Sequence, residues 1–145
     1  MSRKESNVLS VSEIMTRNPE HIEATEPVQE AVNRLFELDV RHLPVVDEMG
    51  SLVGVLSDRD LREFSQPYDM QFENLTTSDE REATPVSDVM AGDVISAHPE
   101  DDVGELIDTM IDQKVGAIPI VDPIEGNLVG IVSYIDILRA ARDRW

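Results

Sequence analysis

The chain repeats itself. Val11-Ser12-Glu13-Ile14-Met15 returns as Val86-Ser87-Asp88-Val89-Met90, 75 positions further on. His42-Leu43-Pro44-Val45-Val46-Asp47 returns as Ala117-Ile118-Pro119-Ile120-Val121-Asp122 at the same spacing. Gly50-Ser51-Leu52-Val53-Gly54 returns as Gly126-Asn127-Leu128-Val129-Gly130 after 76, so the second turn holds one extra residue. A register kept over this length restricts the fold to a duplicated supersecondary unit. The repeats span residues 8–64 and 84–143, with residues 65–83 as a linker or insertion between them.

Each repeat reads as β-α-β-β-α, which predicts an α/β (α+β) fold. Ser12 and Ser87 open short helical turns three residues before a methionine. Extended pieces follow near Glu20–Glu23 and Val94–Ala97. Val28, Ala31, Val32, Leu35 and Phe36 then recur at helical spacing, as do Val103, Leu106, Ile107, Met110 and Ile111. Both sets predict an amphipathic helix with its apolar stripe on the core. Thr25 with Pro27, and Pro99 with Asp101, are the start signals. Two apolar, β-branched runs come next in each repeat, Leu43–Val46 with Leu52–Leu56 and Ile118–Val121 with Leu128–Val132. The Asp- and Gly-bearing turns between them predict hairpins. A closing helix starts at Ser57 or Ser133; the second runs from Ile135 to Trp145 with Ile137, Leu138 and Ala141 on its apolar side. A unit of about 60 residues buries little surface alone. The two repeats are therefore expected to pack sheet to sheet about a pseudo-two-fold axis, with equivalent corners facing a shared cleft. The linker is expected to be a solvated connector, although Tyr68, Met70, Phe72 and Leu75 fall at spacings that could pin it to the body.

Charge narrows the partners. The 145 residues include 30 acidic and 12 basic side chains, a formal charge of −18, and only Lys4 and Lys114 are lysines. Such a surface repels nucleic acid and anionic membranes. No apolar run approaches the roughly 20 residues of a membrane helix. No apolar signal core follows Met1-Ser2-Arg3-Lys4-Glu5-Ser6-Asn7, so a cytoplasmic location is expected. Without cysteine, disulfides, thiolate metal sites and catalytic thiols are excluded. No metal-ligand cluster is written in the sequence. An anionic ligand must be met by local arginines or backbone amides, because the global field opposes it.

The candidate chemistry lies where the last strand of each repeat meets its closing helix. Gly54-Val55-Leu56-Ser57-Asp58-Arg59-Asp60 returns as Gly130-Ile131-Val132-Ser133-Tyr134-Ile135-Asp136. Ser57 and Ser133 can cap the helix, and the free N–H groups there also suit a phosphate. Asp60 and Asp136 fall in the first turn, where a carboxylate complements the helix dipole. Occurring twice, the corner suggests a duplicated binding site.

These motifs together, Ser12 to Thr16, His42 to Asp47, Gly54 to Asp60 and their counterparts, resemble a pair of cystathionine β-synthase (CBS) domains, the arrangement called a Bateman module. The resemblance implies adenosine-containing ligands, AMP or ATP foremost and S-adenosylmethionine or NAD as further candidates, together with a homodimer and a separate regulated protein. It implies that Asp60 and Asp136 hold a ribose, since one carboxylate can accept hydrogen bonds from both vicinal hydroxyls. It also implies that the backbone around Arg41, His42, Leu43 and Pro44, and around Gly116, Ala117, Ile118 and Pro119, meets an adenine edge. Ile22 and Ile95, in the extended pieces, are candidates to flank a base, though such residues are more often simply core. The corners are unequal. Arg59 stands in the first with Arg41 and Arg62 nearby, whereas Ile135 occupies its place in the second. Phosphate is therefore expected at the Arg59 corner, and a nucleoside or no ligand at the other. Neither a nucleophile–base pair nor a metal site is present, so an enzyme is not expected. The competing reading is a structural dimerisation module with vestigial pockets.

Overall fold

The computed structural model describes residues 9–38, 41–65 and 83–144. Its elements follow the order β1 (Thr16–Arg17), β2 (Ile22–Glu23), α1 (Val28–Leu38), β3 (His42–Val46), β4 (Leu52–Ser57), α2 (Asp58–Ser65), α3 (Val103–Gln113), β5 (Ala117–Val121), β6 (Leu128–Ser133) and α4 (Tyr134–Arg144). Short 3-10 turns occupy Val11–Glu13 and Val86–Asp88. The strands form two small sheets, β2-β3-β4 and β1-β6-β5. The fold is thus α/β, as the repeat pattern predicts. Met1–Asn7, Trp145 and the linker residues Tyr68, Met70, Phe72 and Leu75 lie outside the described residues.

The chain forms two compact units whose boundaries cut across the sequence repeats. One comprises Glu20–Val94; the other joins Met1–Pro19 to Ile95–Trp145. In the 20–94 unit, β3 and β4 pair antiparallel, with His42 opposite Ser57 and Leu43 opposite Leu56. Strand β2 runs parallel to β3, with Ile22 opposite Val45. The remaining edge of β4 takes the leader of the second repeat, since Val55 and Ala91 exchange backbone bonds of 3.1 and 3.0 Å. The same leader is stitched to the start of α1. The Val28 N–H donates to the Thr84 carbonyl and the Val86 N–H to the Glu26 carbonyl, both at 2.8 Å.

The other unit repeats this scheme with the first repeat's leader. Strand β1 pairs antiparallel with β6, Thr16 opposite Ile131 and Arg17 opposite Gly130. The Val11 N–H donates to the Asp101 carbonyl at 2.8 Å, and the Val103 N–H to the Leu9 carbonyl at 2.9 Å. A parallel bridge joins Ala97 to Ile120. Each hairpin therefore has its exposed strand edge covered by the leader of the other repeat, which removes a template for stray pairing.

The leaders also enter the cores. Val86 is wholly buried in one, with Ile22, Val28, Ala31, Leu35, Leu43, Val45 and Leu56. Val11 is wholly buried in the other, with Val103, Leu106, Met110, Ile118, Ile120 and Val132. Full burial of such a side chain contributes about 1.5–3 kcal/mol. Beside each valine a methionine lies over a strand glycine. A Cβ at Gly54 would lie 2.4 Å from the Met90 Sδ and 3.0 Å from the Ala91 carbonyl oxygen; at Gly130 it would lie 2.6 Å from the Met15 Sδ and 3.1 Å from the Thr16 oxygen. Only glycine admits this approach.

Two details differ from the sequence pattern. The long helices bury a narrower stripe. Val28, Ala31 and Leu35 of α1 are buried, as are Val103, Leu106 and Met110 of α3. Val32 is 40% exposed, Phe36 86% and Ile111 66%. The buried positions are i, i+3 and i+7; of the residues at i+4 and i+8, Val32, Phe36 and Ile111 are exposed, while Ile107 is partly buried against its core. The cap of α3 is Asp102, which accepts from the Gly104 N–H at 2.9 Å. Asp101 instead accepts from the His98 N–H, also at 2.9 Å.

The turns follow their residue types. Gly50 and Gly126 adopt φ of 90° and 77°, which favours glycine. Asp47 accepts from the Met49 and Ser51 N–H groups, each at 2.9 Å. Its counterpart Asp122 accepts from Ile124, Glu125 and Asn127. These backbone donors, Glu125 foremost, hold the Asp122 carboxyl below its usual range despite opposing desolvation.

Candidate functional site

An antiparallel hairpin places the first residue of one strand beside the last of its partner. Residues 41–44 are thereby brought to the strand-to-helix corner at Ser57. The Asp58 N–H donates to the Arg41 carbonyl at 3.0 Å, tying the helix start to the strand start. Ser57 and Asp60 then cap α2 reciprocally. The Ser57 N–H donates to Asp60 Oδ2 at 2.9 Å, and the Asp60 N–H donates to Ser57 Oγ at 3.0 Å. This is a capping box with aspartate in the position glutamate usually takes.

The other unit builds the same corner. The Tyr134 N–H donates to the Gly116 carbonyl at 3.0 Å. The Ser133 N–H donates to Asp136 Oδ2 at 2.9 Å, and the Asp136 N–H reaches Ser133 Oγ at 3.4 Å. Ser57, Asp60, Ser133 and Asp136 are half-buried. Both serines and both aspartates thus serve the helix whatever else they bind, and these capping bonds use carboxylate Oδ2.

The remaining candidates divide by exposure. Arg41 and Arg59 are exposed, and His42, Gly116 and Ala117 are half-buried beside the corners. Leu43, Pro44, Ile118 and Pro119 are fully buried, so their side chains hold the strands and present no surface to a ligand. Pro44 and Pro119 lie inside their strands, opposite Val55 and Ile131, rather than at the strand starts. Ile22 is likewise fully buried, a core residue. Ile95 is half-buried against the other core and is not the counterpart of Ile22. The parallel pairings Ile22–Val45 and Ala97–Ile120 make Ala97 the equivalent residue. The constant offset of 75 was the signal for this, since 22 and 75 give 97.

The electrostatics of the corners differ at five matched positions. Arg41, His42, Asp58, Arg59 and Arg62 in one unit stand where Gly116, Ala117, Tyr134, Ile135 and Leu138 stand in the other. Arg62 pairs with Asp58 at 3.2 Å, an exposed i,i+4 contact of a few tenths of a kcal/mol. His42 titrates below the ordinary imidazole value of 6.5, chiefly because burial disfavours the charged ring. Asp58 and Asp60 oppose that shift, and Arg41 adds to it. Tyr134, Ile135 and Leu138 are 53%, 41% and 59% exposed, an apolar rim to the second corner. Among the described residues no group of three His, Asp or Glu side chains is placed to hold a metal ion, and no helix is long and apolar enough to cross a membrane.

This architecture has known relatives. The profile of the CBS domain matches residues 11–66 and again residues 86–143. The CBS domain-containing protein YhcV of Bacillus subtilis is 34% identical over 130 residues, covering 88% of this chain and 82% of YhcV. AcuB from Vibrio cholerae superposes with a TM-score of 0.78 at 30% identity, covering 93% of this chain and 91% of AcuB. CBSX2, determined in complex with AMP, gives a TM-score of 0.78 at 26% identity, covering 92% and 96% of the two chains. The CBS domain pair of MJ0100, determined with 5′-methylthioadenosine and S-adenosylmethionine, gives 0.77 at 25% identity, covering 95% and 99%. Inosine-5′-monophosphate dehydrogenase of Methanocaldococcus jannaschii is 29% identical across 97% of this chain, but that match spans only 25% of the enzyme. The chain belongs to the CBS domain family, carrying the domain twice as a Bateman module.

Proposed function

We propose that the chain is a non-enzymatic sensor that binds adenosine-containing ligands at its two strand-to-helix corners and passes the state of occupancy to a separate protein. The observation that carries this reading is the duplicated corner itself. Each capping box uses Asp Oδ2, and the rest of each carboxylate can take the hydroxyls of a ribose. Backbone groups at residues 41–44 and 116–119 stand beside it for an adenine edge. The bound adenosine compounds of CBSX2 and the MJ0100 pair support the ligand class. The location follows from the reading as cytoplasmic, where such nucleotides are abundant. A ligand of this kind shifts a conformational balance only by its unequal affinity for the two states.

The corner bearing Arg59 takes the phosphorylated ligand, AMP or ATP. Arginine is the residue suited to phosphate, and a chain of net charge −18 must supply such groups locally. The Asp136 corner, with Gly116, Ala117, Ile135 and Leu138, suits an uncharged nucleoside. Arg59→Ala is expected to weaken AMP binding about tenfold while leaving adenosine binding unchanged, as measured by calorimetry. Equal AMP affinity in the two proteins would remove Arg59 from the site.

A second reading, a dimerisation module with vestigial pockets, draws support from the exposed apolar flanks of α1 and α3. Phe36 and Ile111 sit at matched positions there, and a homodimer would cover them. Thermal melts with AMP, ATP, NAD and S-adenosylmethionine at millimolar concentration separate the readings. A ligand at a hundred times its Kd stabilises by about 2.7 kcal/mol. No shift with any of the four would leave only the dimerisation module.

A further inference from the structure

The Arg59 corner contains a titratable group that its counterpart lacks. His42 opens β3 directly opposite Ser57, the serine that caps α2. Its ring is half-buried, and no hydrogen bond to it is formed among the described residues. Arg41 precedes it, and Asp58 and Asp60 act on it from the first turn of α2. The matched residue, Ala117, carries no charge at any pH.

We infer that His42 is a proton-gated specificity residue of the Arg59 corner, taking up a proton when a phosphate binds there and none when a nucleoside binds. The inference rests on the reading of that corner as a phosphate site. The physics follows from the placement. In the unliganded protein, burial disfavours the imidazolium and outweighs the attraction of Asp58 and Asp60. A phosphate carries a charge near −1.5 to −2 at neutral pH. An anion at the end of α2 adds a favourable partner for the charged ring, which raises its affinity for a proton. By reciprocity the proton raises the affinity for the phosphate by the same factor. Adenosine carries no such charge and has no reason to move the titration. The corner would therefore bind AMP more tightly as the surroundings acidify, and the nucleoside corner would not respond.

Proton NMR of the full chain tests this, with His42→Gln assigning the ring among the three histidines. The expected result is a rise of about one pH unit in the His42 midpoint on saturation with AMP, and no movement with adenosine. One unit corresponds to a tenfold linkage. The wild-type to His42→Gln ratio of AMP affinities should accordingly fall from about tenfold at acidic pH to near one at alkaline pH. Taking the ratio cancels the titration of the AMP phosphate itself. If AMP binds but the His42 midpoint stays put, the inference is overturned and the phosphate site stands. If neither AMP nor adenosine binds at any pH, the ligand reading falls and the inference with it. The midpoint is read on the wild-type protein, so the test survives a variant that folds poorly.

Discussion

Asp60→Asn is expected to lower AMP affinity by roughly tenfold to a hundredfold, the range that follows from losing charge-assisted hydrogen bonds of about 1.5–3 kcal/mol. The substitution is chosen because Asp60 has two tasks. Its Oδ2 accepts the Ser57 N–H at 2.9 Å and holds the start of α2. Asparagine keeps an oxygen for that bond and loses the charge. Asp60→Ala removes both, and should also cost about 1 kcal/mol of stability through the lost cap. Asp136→Asn should weaken nucleoside binding at the other corner and leave the Arg59 corner intact. Calorimetric titration gives the affinities, and thermal melts of the unliganded proteins separate cap from ligand. An Asp60→Asn protein that melts and binds AMP as the wild type does would confine the aspartate to capping.

Gly54→Ala is expected to destabilise the protein by about 1–3 kcal/mol, the usual cost of forcing a methyl into filled space. Strand propensity alone predicts the opposite sign, because glycine in a strand interior is weaker than alanine by roughly 0.5–1 kcal/mol. The structure decides between them: the new Cβ would lie 2.4 Å from the Met90 Sδ and 3.0 Å from the Ala91 carbonyl oxygen. Met90 can swing aside. The carbonyl cannot, because Ala91 is bonded in both directions to Val55. Combining Gly54→Ala with Met90→Ala should therefore recover part of the loss, and a urea double-mutant cycle should show a coupling above about 0.5 kcal/mol. Gly130 with Met15 forms the equivalent pair. Strict additivity in both cycles would show that the methionines do not hold the glycines.

Much of this was legible because it is local or duplicated. The hairpins follow from β-branched runs ending in Asp and Gly turns, and the capping boxes from a Ser three residues before an Asp. What escaped depends on which partner a segment meets. Nothing in Val11 or Val86 says which core receives it, since both leaders have nearly the same sequence and either hairpin would accept either one. Phe36 and Ile111 match the apolar period of their helices, but periodicity does not give the width of the surface the helix packs on. Ile22 and Ile95 share a residue type, but the sheet register makes Ala97 the positional equivalent of Ile22. The charge difference between the corners was visible only in part. Arg59 against Ile135 stood out, while His42 against Ala117 gained weight once the hairpin set His42 opposite Ser57.

The exchange of leaders sets an order of assembly on the ribosome. The 20–94 unit is contiguous, so it can close as soon as Ala91 has cleared the exit tunnel. The other unit needs residues from both sides of it. Its leader, emerging first, must wait through the whole synthesis of its neighbour before β6 exists to receive it. Closing so long a loop is slow compared with local pairing. During that interval the early leader, with Val11 and Met15 uncovered, is the stretch most open to mispairing with the first hairpin. A ribosome paused once residue 94 has left the tunnel, with β6 still inside it, should therefore carry one folded half and a protease-sensitive leader.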